Sequence, residues 1–457
     1  MQQIVKRKYF GTDGVRGRAN NGKMNAKSVV QFAHAVGIAF SRGKEHHRYR
    51  ALIGKDTRLS NYTIEPSCVA GLTGVGMDVL LIGPMPTPAV AYLTQSMRAD
   101  VGFMLTASHN PFEDNGIKLF GPDGFKLTAK LELEIEALMD SDLASQLASP
   151  ANMGRTTRID EEKGQYKASV KNSLPKEITF GEMRVVIDCS HGAAYKIAPE
   201  ILKELDAEVF TIGTDPDGVN INKECGSTHP DVLSKEVRRL RADFGIALDG
   251  DGDRVTLVDE KGSVIDGDQI LALLAYTWKK AGRLAHPVVV GTSMTNLGLE
   301  RYLSTQGITL ERTDVGDHNI LKRMREGGFN LGGEPSGHIV LSDFAKTGDG
   351  LLAALQVMQI IKEQGMPASQ VCNRFKPVPQ ILENVKYKKA QGDPLEDPLV
   401  KRVITEVEAR LFSSGSRLLV RPSGTEPLIR VMAEGDNRTD LVAAIQQVVR
   451  AIQSELK

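Results

Sequence analysis

The chain has 457 residues, a length that at about 150 residues per domain accommodates roughly three domains and argues against a single compact core. Its 57 Lys and Arg balance 57 Asp and Glu, which removes the positive excess of an electrostatic nucleic-acid or anionic-membrane binder and leaves phosphate recognition to local groups. Hydrophobic residues at 41% and charged residues at 25% exclude the composition of a disordered chain.

Residues 1–10 are basic but lack the apolar stretch of a secretory signal, and the longest strongly apolar runs, 270–278 and 350–361, fall short of the ~20 residues that span a bilayer. The expected protein is cytoplasmic, with no membrane and no nucleic acid among its partners. Cys68, Cys189, Cys225 and Cys372 are scattered without a Cys-x-x-Cys pair, so reduced thiols are expected rather than a disulfide framework or a zinc ribbon.

A repeated rhythm of β-branched run, turn, helix and second apolar run marks parallel βαβ units. It occurs at 51–53, a helix through Val69, Leu72 and Val75, and 79–82. It returns at 184–188, a helix through Ile197, Ile201 and Leu205, and 208–210, and again at 288–291, a helix through Leu297 and Leu299, and a strand near 308–310. Three related α/β domains are the economical reading. The last segment differs. Residues 417–420 and 428–432 read as two strands around a turn, followed by one long helix whose face carries Leu441, Ala444, Ile445, Val448, Ile452 and Leu456 at three- and four-residue spacing. The Ser/Ala/Asn/Gly-rich stretch 141–157 and the Pro-containing stretch 366–379 suggest boundaries, whereas no linker composition marks the passage from second to third domain near 254–259. The expected division is 1–150, 155–254 and 255–368 as α/β domains and 372–457 as an α+β domain.

Five segments concentrate chemically useful groups. Gly11-Thr12-Asp13-Gly14-Val15-Arg16-Gly17 has the flexibility of a phosphate loop without the Lys-Ser/Thr ending of a Walker A motif, and Arg16 is its one strong phosphate donor. Thr106-Ala107-Ser108-His109-Asn110-Pro111 follows the apolar run 101–105. The residue before Pro111 is biased to extended or turn geometry, which ends the strand and puts Ser108 on the turn with an accessible hydroxyl. A turn-stabilising hydrogen bond and a reacting nucleophile both fit this serine, and the absence of a Gly-x-Ser-x-Gly elbow speaks against an esterase.

Asp249-Gly250-Asp251-Gly252-Asp253-Arg254 follows the strand-like run 244–248. Three carboxylates at alternate positions converge only where the backbone curls, and the interleaved glycines allow the curl. Oxygen-only ligands suit Mg²⁺, and three negative charges massed at a strand end repel unless a cation joins them. A Ca²⁺ EF-hand, suggested by Glu260 at the twelfth position, fails because Arg254 stands where Gly is required and 255–258 reads as a strand. Gly333-Glu334-Pro335-Ser336-Gly337-His338 offers a carboxylate, a hydroxyl and an imidazole to sugar hydroxyls. Arg421-Pro422-Ser423-Gly424-Thr425-Glu426-Pro427, with Arg430 behind, collects hydroxyls, amides around a glycine and two guanidiniums, the groups that hold a phosphate. A Pro/Gly hairpin turn with a surface arginine has the same composition.

Taken in this order, the segments resemble those of the α-D-phosphohexomutase superfamily across essentially the whole chain. Within it, Lys8-Tyr9-Phe10-Gly11-Thr12-Asp13-Gly14-Val15-Arg16-Gly17, Gly83-Pro84-Met85-Pro86-Thr87-Pro88 and Asp114-Asn115-Gly116-Ile117-Lys118 look like the bacterial phosphoglucosamine mutase family. The resemblance implies three α/β domains and a C-terminal α+β domain around a central cleft, each contributing a loop. It implies a phosphoserine at Ser108 as phosphoryl donor, and one Mg²⁺ per chain held by a Ser108 phosphate oxygen with Asp249, Asp251 and Asp253. Glu334, Ser336 and His338 would select the sugar, and Arg421, Ser423, Gly424, Thr425 and Arg430 would hold the distal phosphate. Arg16, His109, Lys118, Arg254 and His338 would serve the reacting centre, with Lys118 or His338 moving the hydroxyl proton. The implied enzyme is an isomerase interconverting glucosamine 6-phosphate and glucosamine 1-phosphate through a 1,6-bisphosphate that is both intermediate and activator, feeding UDP-N-acetylglucosamine and cell-wall synthesis, and it is a homodimer. Two departures stand against the amino-sugar preference. Pro335 replaces the usual Gln or Asn of that loop, and His318-Asn319 replaces a common Arg-Tyr. A phosphomannomutase or phosphoglucomutase with the same mechanism, or a sugar-phosphate binder without turnover, therefore stays open.

Overall fold

A computed structural model of the chain describes residues 7–11, 13–41, 47–160, 163–387, 393–422 and 428–455. The first βαβ unit is formed by β2 (Arg50–Lys55) and β3 (Asp78–Pro84), parallel and joined by the helix Asn61–Gly74. They belong to a six-stranded sheet ordered β1-β5-β4-β2-β3-β6, with β1 (Val15–Arg18), β4 (Val101–Leu105), β5 (Asp114–Phe120) and β6 (Thr156–Arg158). Every residue of β4 is buried, as its unbroken apolar sequence requires of a strand covered on both faces. Strand β1 returns antiparallel along β5 and sets Arg16 opposite Gly116, whose carbonyl accepts the N–H of Thr106. That pairing brings the 11–17 segment beside the end of β4.

The second sheet is ordered β11-β10-β9-β7-β8, from β7 (Arg184–Asp188), β8 (Glu208–Ile212), β9 (Phe244–Leu248), β10 (Val255–Asp259) and β11 (Val264–Ile265). The third is β13-β12-β14-β15, from β12 (Val288–Thr292), β13 (Thr309–Thr313), β14 (Leu331–Gly333) and β15 (Ile339–Leu341). In both, the expected βαβ pair is parallel.

Two divisions differ from those expected. The first sheet extends to Arg158, because β6 pairs with β3; the Ser/Ala/Asn-rich stretch before it forms short exposed 3-10 turns within the domain. The second sheet continues past Arg254 to Ile265, because β10 pairs antiparallel with β9. Residues 249–254 are thus the turn between two paired, buried strands, which explains the absence of linker composition there.

The fourth sheet has three antiparallel strands, β16 (Gln380–Lys386), β18 (Leu428–Glu434) and β17 (Arg417–Pro422) in that order, where two were expected. Strand β16 lies at an edge with Val385 as its one buried residue, so it carries no alternating apolar signal. A further helix, Pro398–Ser413, begins at Asp397, whose side chain accepts the N–H groups of Leu399 and Val400.

One continuous set of buried apolar side chains runs from the first sheet (Leu52, Met104, Phe120) through the second (Ile187, Ile246) to the third (Val289, Leu331). The helix Gly350–Gln364, buried from Gly350 to Ile361, is packed inside it, so its apolar run is a core helix. No helix among the described residues is long and apolar enough to cross a membrane. The fourth domain has a core of its own, around Val407, Ile429, Val431, Leu441 and Val448.

Candidate active site

Strand β4 ends at Leu105, and the chain turns so tightly that Ser108 takes φ of +54°, a left-handed conformation that costs a non-glycine residue about 1–2 kcal/mol. Its surroundings hold it there. The Ser108 N–H donates to Thr106 Oγ1 at 2.9 Å, and its carbonyl accepts from Arg58 Nη2 and Asn222 Nδ2, each at 2.9 Å. Arg58 also donates to the carbonyls of Asn110 (2.8 Å), Asp114 (3.0 Å) and Pro111, while its Nε pairs with Asp56 Oδ2 at 2.8 Å. Both side chains of that pair are fully buried. From the sequence, Arg58 fits either a domain interface or a surface turn and carries no functional assignment, and Asn222 shows no signal; the available signal for Arg58 was a charged pair two residues apart directly after a buried strand.

The expected accessible hydroxyl is corrected by this geometry. Ser108 is 1% exposed, and its Oγ donates to Asp249 Oδ2 at 2.6 Å, because the turn between β9 and β10 closes over it. In that turn Asp249, Asp251 and Asp253 converge until their oxygens lie within 4.8 Å of one another. Asp251 Oδ2 accepts from Thr87 Oγ1 (2.6 Å) and Lys118 Nζ (2.7 Å), and Asp253 Oδ2 accepts from Lys118 at 2.8 Å. Asp251 Oδ1 and Asp253 Oδ1 are buried without a hydrogen-bond partner. An oxygen-only donor set with unpartnered buried carboxylate oxygens fits a small hard dication. Burial, reinforced by the other two carboxylates, pushes Asp249 well above the usual carboxylate range. Burial acts the same way on Asp253 and is the largest single influence, but Lys118, His338 and Arg254 together outweigh it and hold Asp253 well below that range.

The remaining expected residues gather round this centre. Lys118 faces Asp13 (3.2 Å) as well as Asp251 and Asp253; burial alone would lower its pKa, yet these carboxylates hold it well above the ordinary value. That is the opposite of the shift a general base at neutral pH requires. His109 Nδ1 lies 3.3 Å from Ser108 Oγ, and burial, then Arg254 and Arg16, depress the imidazole to about 4. Arg16 pairs with Asp13 at 2.5 Å, and the Arg254 N–H donates to Asp249 Oδ1 at 3.2 Å. Both guanidiniums keep a buried Nε–H without a partner, a free donor for a phosphoryl oxygen. His338 is 1% exposed, with Nδ1 3.8 Å from Asp253 Oδ1; burial lowers its pKa, and Asp253 leads the carboxylates that raise it above the ordinary value.

The 334–338 loop is pressed onto the second sheet by Gly337, whose φ is +85° and where a Cβ would stand 1.8 Å from the Val255 carbonyl oxygen. Only glycine permits that approach. Glu334 accepts from the Gly316 N–H (3.2 Å) and from Ser336 Oγ (3.3 Å). On the fourth sheet Arg421 and Arg430 face each other across the β17–β18 ladder, an unfavourable like-charge pair that an anion would resolve. Burial and then Arg430 lower the Arg421 pKa, Asp314 opposes them, and both Nε–H groups are buried without partners. Ser423, Gly424 and Thr425 lie outside the described residues.

Family models described as phosphoglucomutase/phosphomannomutase match the chain as alpha/beta/alpha domain I over residues 7–145, domain II over 165–262, domain III over 266–378 and the C-terminal domain over 382–452. A phosphoglucosamine mutase of Beijerinckia indica is 59% identical over 441 residues, covering 96% of each chain. One of Afipia carboxidovorans is 56% identical over 448 residues, covering 98% of this chain and 99% of its own. The chain belongs to the phosphoglucosamine mutase family. Among solved structures, a phosphoglucomutase/phosphomannomutase family protein of Burkholderia thailandensis shares the fold with a TM-score of 0.79 at 22% identity, covering 98% of this chain and 97% of that one. An N-acetylphosphoglucosamine mutase of Aspergillus fumigatus, in complex with GlcNAc-6P and magnesium, has a TM-score of 0.66 at 18% identity, covering 100% of this chain and 97% of that one.

For a phosphoglucosamine mutase family member, the two departures in sequence have definite surroundings. The Pro335 carbonyl accepts the Gly267 N–H at 3.2 Å, so this anchor of the loop does not need the N–H that proline lacks. Burial lowers the His318 pKa, with Asp317 opposing it, where a permanent cation was the comparison. His318 lines a cavity of about 760 Å³ between the first and third domains, with Phe10, Lys118, Phe125, Glu132 and Arg325. Neither Ser108 nor the 249–253 carboxylates line that cavity.

Proposed function

We propose that this chain interconverts glucosamine 6-phosphate and glucosamine 1-phosphate, with Ser108 carrying the transferred phosphoryl group. The observation that carries the reading is the meeting of the Ser108 hydroxyl with Asp249, at 2.6 Å, inside a buried three-carboxylate cluster with unpartnered oxygens. A magnesium ion held there by Asp249, Asp251, Asp253 and a Ser108 phosphate oxygen would neutralise charge on the phosphoryl oxygens. Arg16 and Arg254 offer buried N–H donors to the same oxygens, which is where electrostatic stabilisation of phosphoryl transfer acts.

Transfer breaks the bond between Ser108 Oγ and phosphorus and forms one between phosphorus and a substrate hydroxyl oxygen, whose proton leaves to a base. His338, at the end of the sugar loop, fits the proton role better than Lys118, because an imidazole titrates nearer neutrality than an ammonium raised by three carboxylates. Glu334 and Ser336 face the sugar. Arg421 and Arg430, with Ser423, Gly424 and Thr425, hold the phosphate that is not reacting. The resulting 1,6-bisphosphate turns over and returns its other phosphate to Ser108. The amino-sugar preference is supported by relatives named phosphoglucosamine mutase at 56–59% identity. The reading carries with it a cytoplasmic enzyme that supplies sugar 1-phosphate for nucleotide-sugar synthesis.

Pro335 favours a second reading, glucose or mannose phosphate as the better substrate, since it deletes an amide side chain from the sugar loop. Steady-state assays of protein pretreated with hexose 1,6-bisphosphate and Mg²⁺ decide between them. Glucosamine 6-phosphate is expected to give the highest kcat/KM. A higher value for glucose or mannose 6-phosphate overturns the substrate assignment, and turnover no greater than that of Ser108→Ala overturns the enzyme reading.

A further inference from the structure

A second, half-buried cation ties the first domain to the third, and the phosphoryl transfer described above does not employ it. Lys126 follows β5 in a short antiparallel return, bridged to Phe120, and its Nζ pairs with two carboxylates on different domains. One is Asp13, from the segment before β1. The other is Asp317, the first residue of the third-domain helix Asp317–Gly327. The side chains of Lys126, Asp13 and Asp317 are only 15%, 17% and 11% exposed. Each carboxylate also faces a residue of the reacting centre: Asp13 lies 2.5 Å from Arg16 and 3.2 Å from Lys118, and Asp317 Oδ2 lies 3.9 Å from His338 Nε2. Without the ammonium between them, two partly buried carboxylates on facing domains would repel.

We propose that Lys126 is a positioning residue: by clamping Asp317 against Asp13 it fixes His338 of the third domain in register with Arg16 and Lys118 of the first. The inference rests on the phosphosugar transfer reading. Misplacement of a reacting group by about 1 Å costs on the order of 100-fold in rate. Removal of the clamp therefore acts on kcat, while the Arg421 and Arg430 anchor keeps substrate binding.

The test measures kcat and KM for Lys126→Met, Asp317→Asn, their combination and Lys126→Arg. Each neutral single variant is expected to lose roughly 10- to 100-fold in kcat with KM within a factor of about 3. The double variant is expected to be no worse than either single one, and Lys126→Arg to recover most of the rate, because the members of one clamp are coupled. Losses that multiply in the double variant, a loss confined to KM, or a wild-type kcat in Lys126→Met overturns the proposal. Hydrogen exchange on the same proteins reads the clamp without turnover: the first turn of the helix Asp317–Gly327 should lose protection in Lys126→Met and regain it in Lys126→Arg. Unchanged protection there overturns the clamp even if the wild type isomerises every sugar. An inactive wild type whose protection pattern behaves as expected overturns the transfer reading alone.

Discussion

The region around Ser108 and the hairpin that carries Arg421 and Arg430 are built on different plans. Ser108 sits at the end of a fully buried strand, in a strained turn tied down by Arg58, Asn222 and Asp249, inside a core continuous over three sheets. The hairpin belongs to a domain with a separate core, joined to the third domain through polar contacts. Arg417 Nη2 donates to the Ser293 and Thr295 carbonyls at 2.9 Å, Glu434 accepts the Leu297 N–H at 3.1 Å, and Arg301 pairs with Asp436 at 2.9 Å. The contrast follows the chemistry. A bond that breaks demands fixed geometry, whereas an unreactive phosphate demands charge at the correct distance.

The sharpest way to break this contrast is Arg58→Met. It leaves Asp56 buried and unpaired and releases the carbonyls of the Ser108 turn, a loss of roughly 3–5 kcal/mol. Native-state hydrogen exchange should register it in β4 and leave β18 unchanged. A uniform loss in both would show that the two regions unfold as one.

Asp251→Asn removes a carboxylate from the 249–253 cluster, and Mg²⁺ should bind at least about 100-fold more weakly by calorimetry, with the fold retained. Chelation of the wild type should abolish isomerisation, and added Mg²⁺ should restore it. Arg421→Ala acts on the other region. It should lower kcat/KM by about 10- to 100-fold, chiefly through KM, because a charge-assisted hydrogen bond contributes about 1.5–3 kcal/mol. An equal fall in kcat would mean that the hairpin takes part in the chemical step.

The smallest effect concerns the joint between the regions. Asp268 Oδ2 accepts the Asn296 N–H at 2.8 Å, and burial, with Asp266 as second cause, pushes this carboxyl up to about 8. A carboxyl raised above its unfolded value contributes stability that is complete below about pH 4 and lost as pH rises through the folded value. Asp268→Asn should therefore raise the thermal midpoint relative to wild type by an amount that grows from pH 5 to pH 8 and then levels off. A difference independent of pH would contradict the assignment.

The parts of this architecture that were legible in the sequence are those whose cause is local. The βαβ units announce themselves by adjacent runs, and the 249–254 segment by glycines alternating with carboxylates. What stayed hidden depends on distant partners. Ser108 looked accessible because its covering carboxylate, Asp249, comes 141 residues later. Lys126 carries no signal in the sequence, because its partners stand 113 and 191 positions away. Arg58 fitted a domain interface or a surface turn equally because, Asp56 apart, its acceptors are carbonyls, which carry no sequence signature. The break after Arg254 was misplaced for the converse reason: a tight, purely local turn joins two strands of one sheet.

The most direct measurement loads Ser108 with labelled phosphate from a hexose 1,6-bisphosphate and follows the label through one turnover with glucosamine 6-phosphate. The label should leave the protein for the sugar at least as fast as steady-state isomerisation proceeds. Label that stays on the protein while unlabelled sugar isomerises, or that appears only as inorganic phosphate, would contradict a phosphoryl-carrying Ser108.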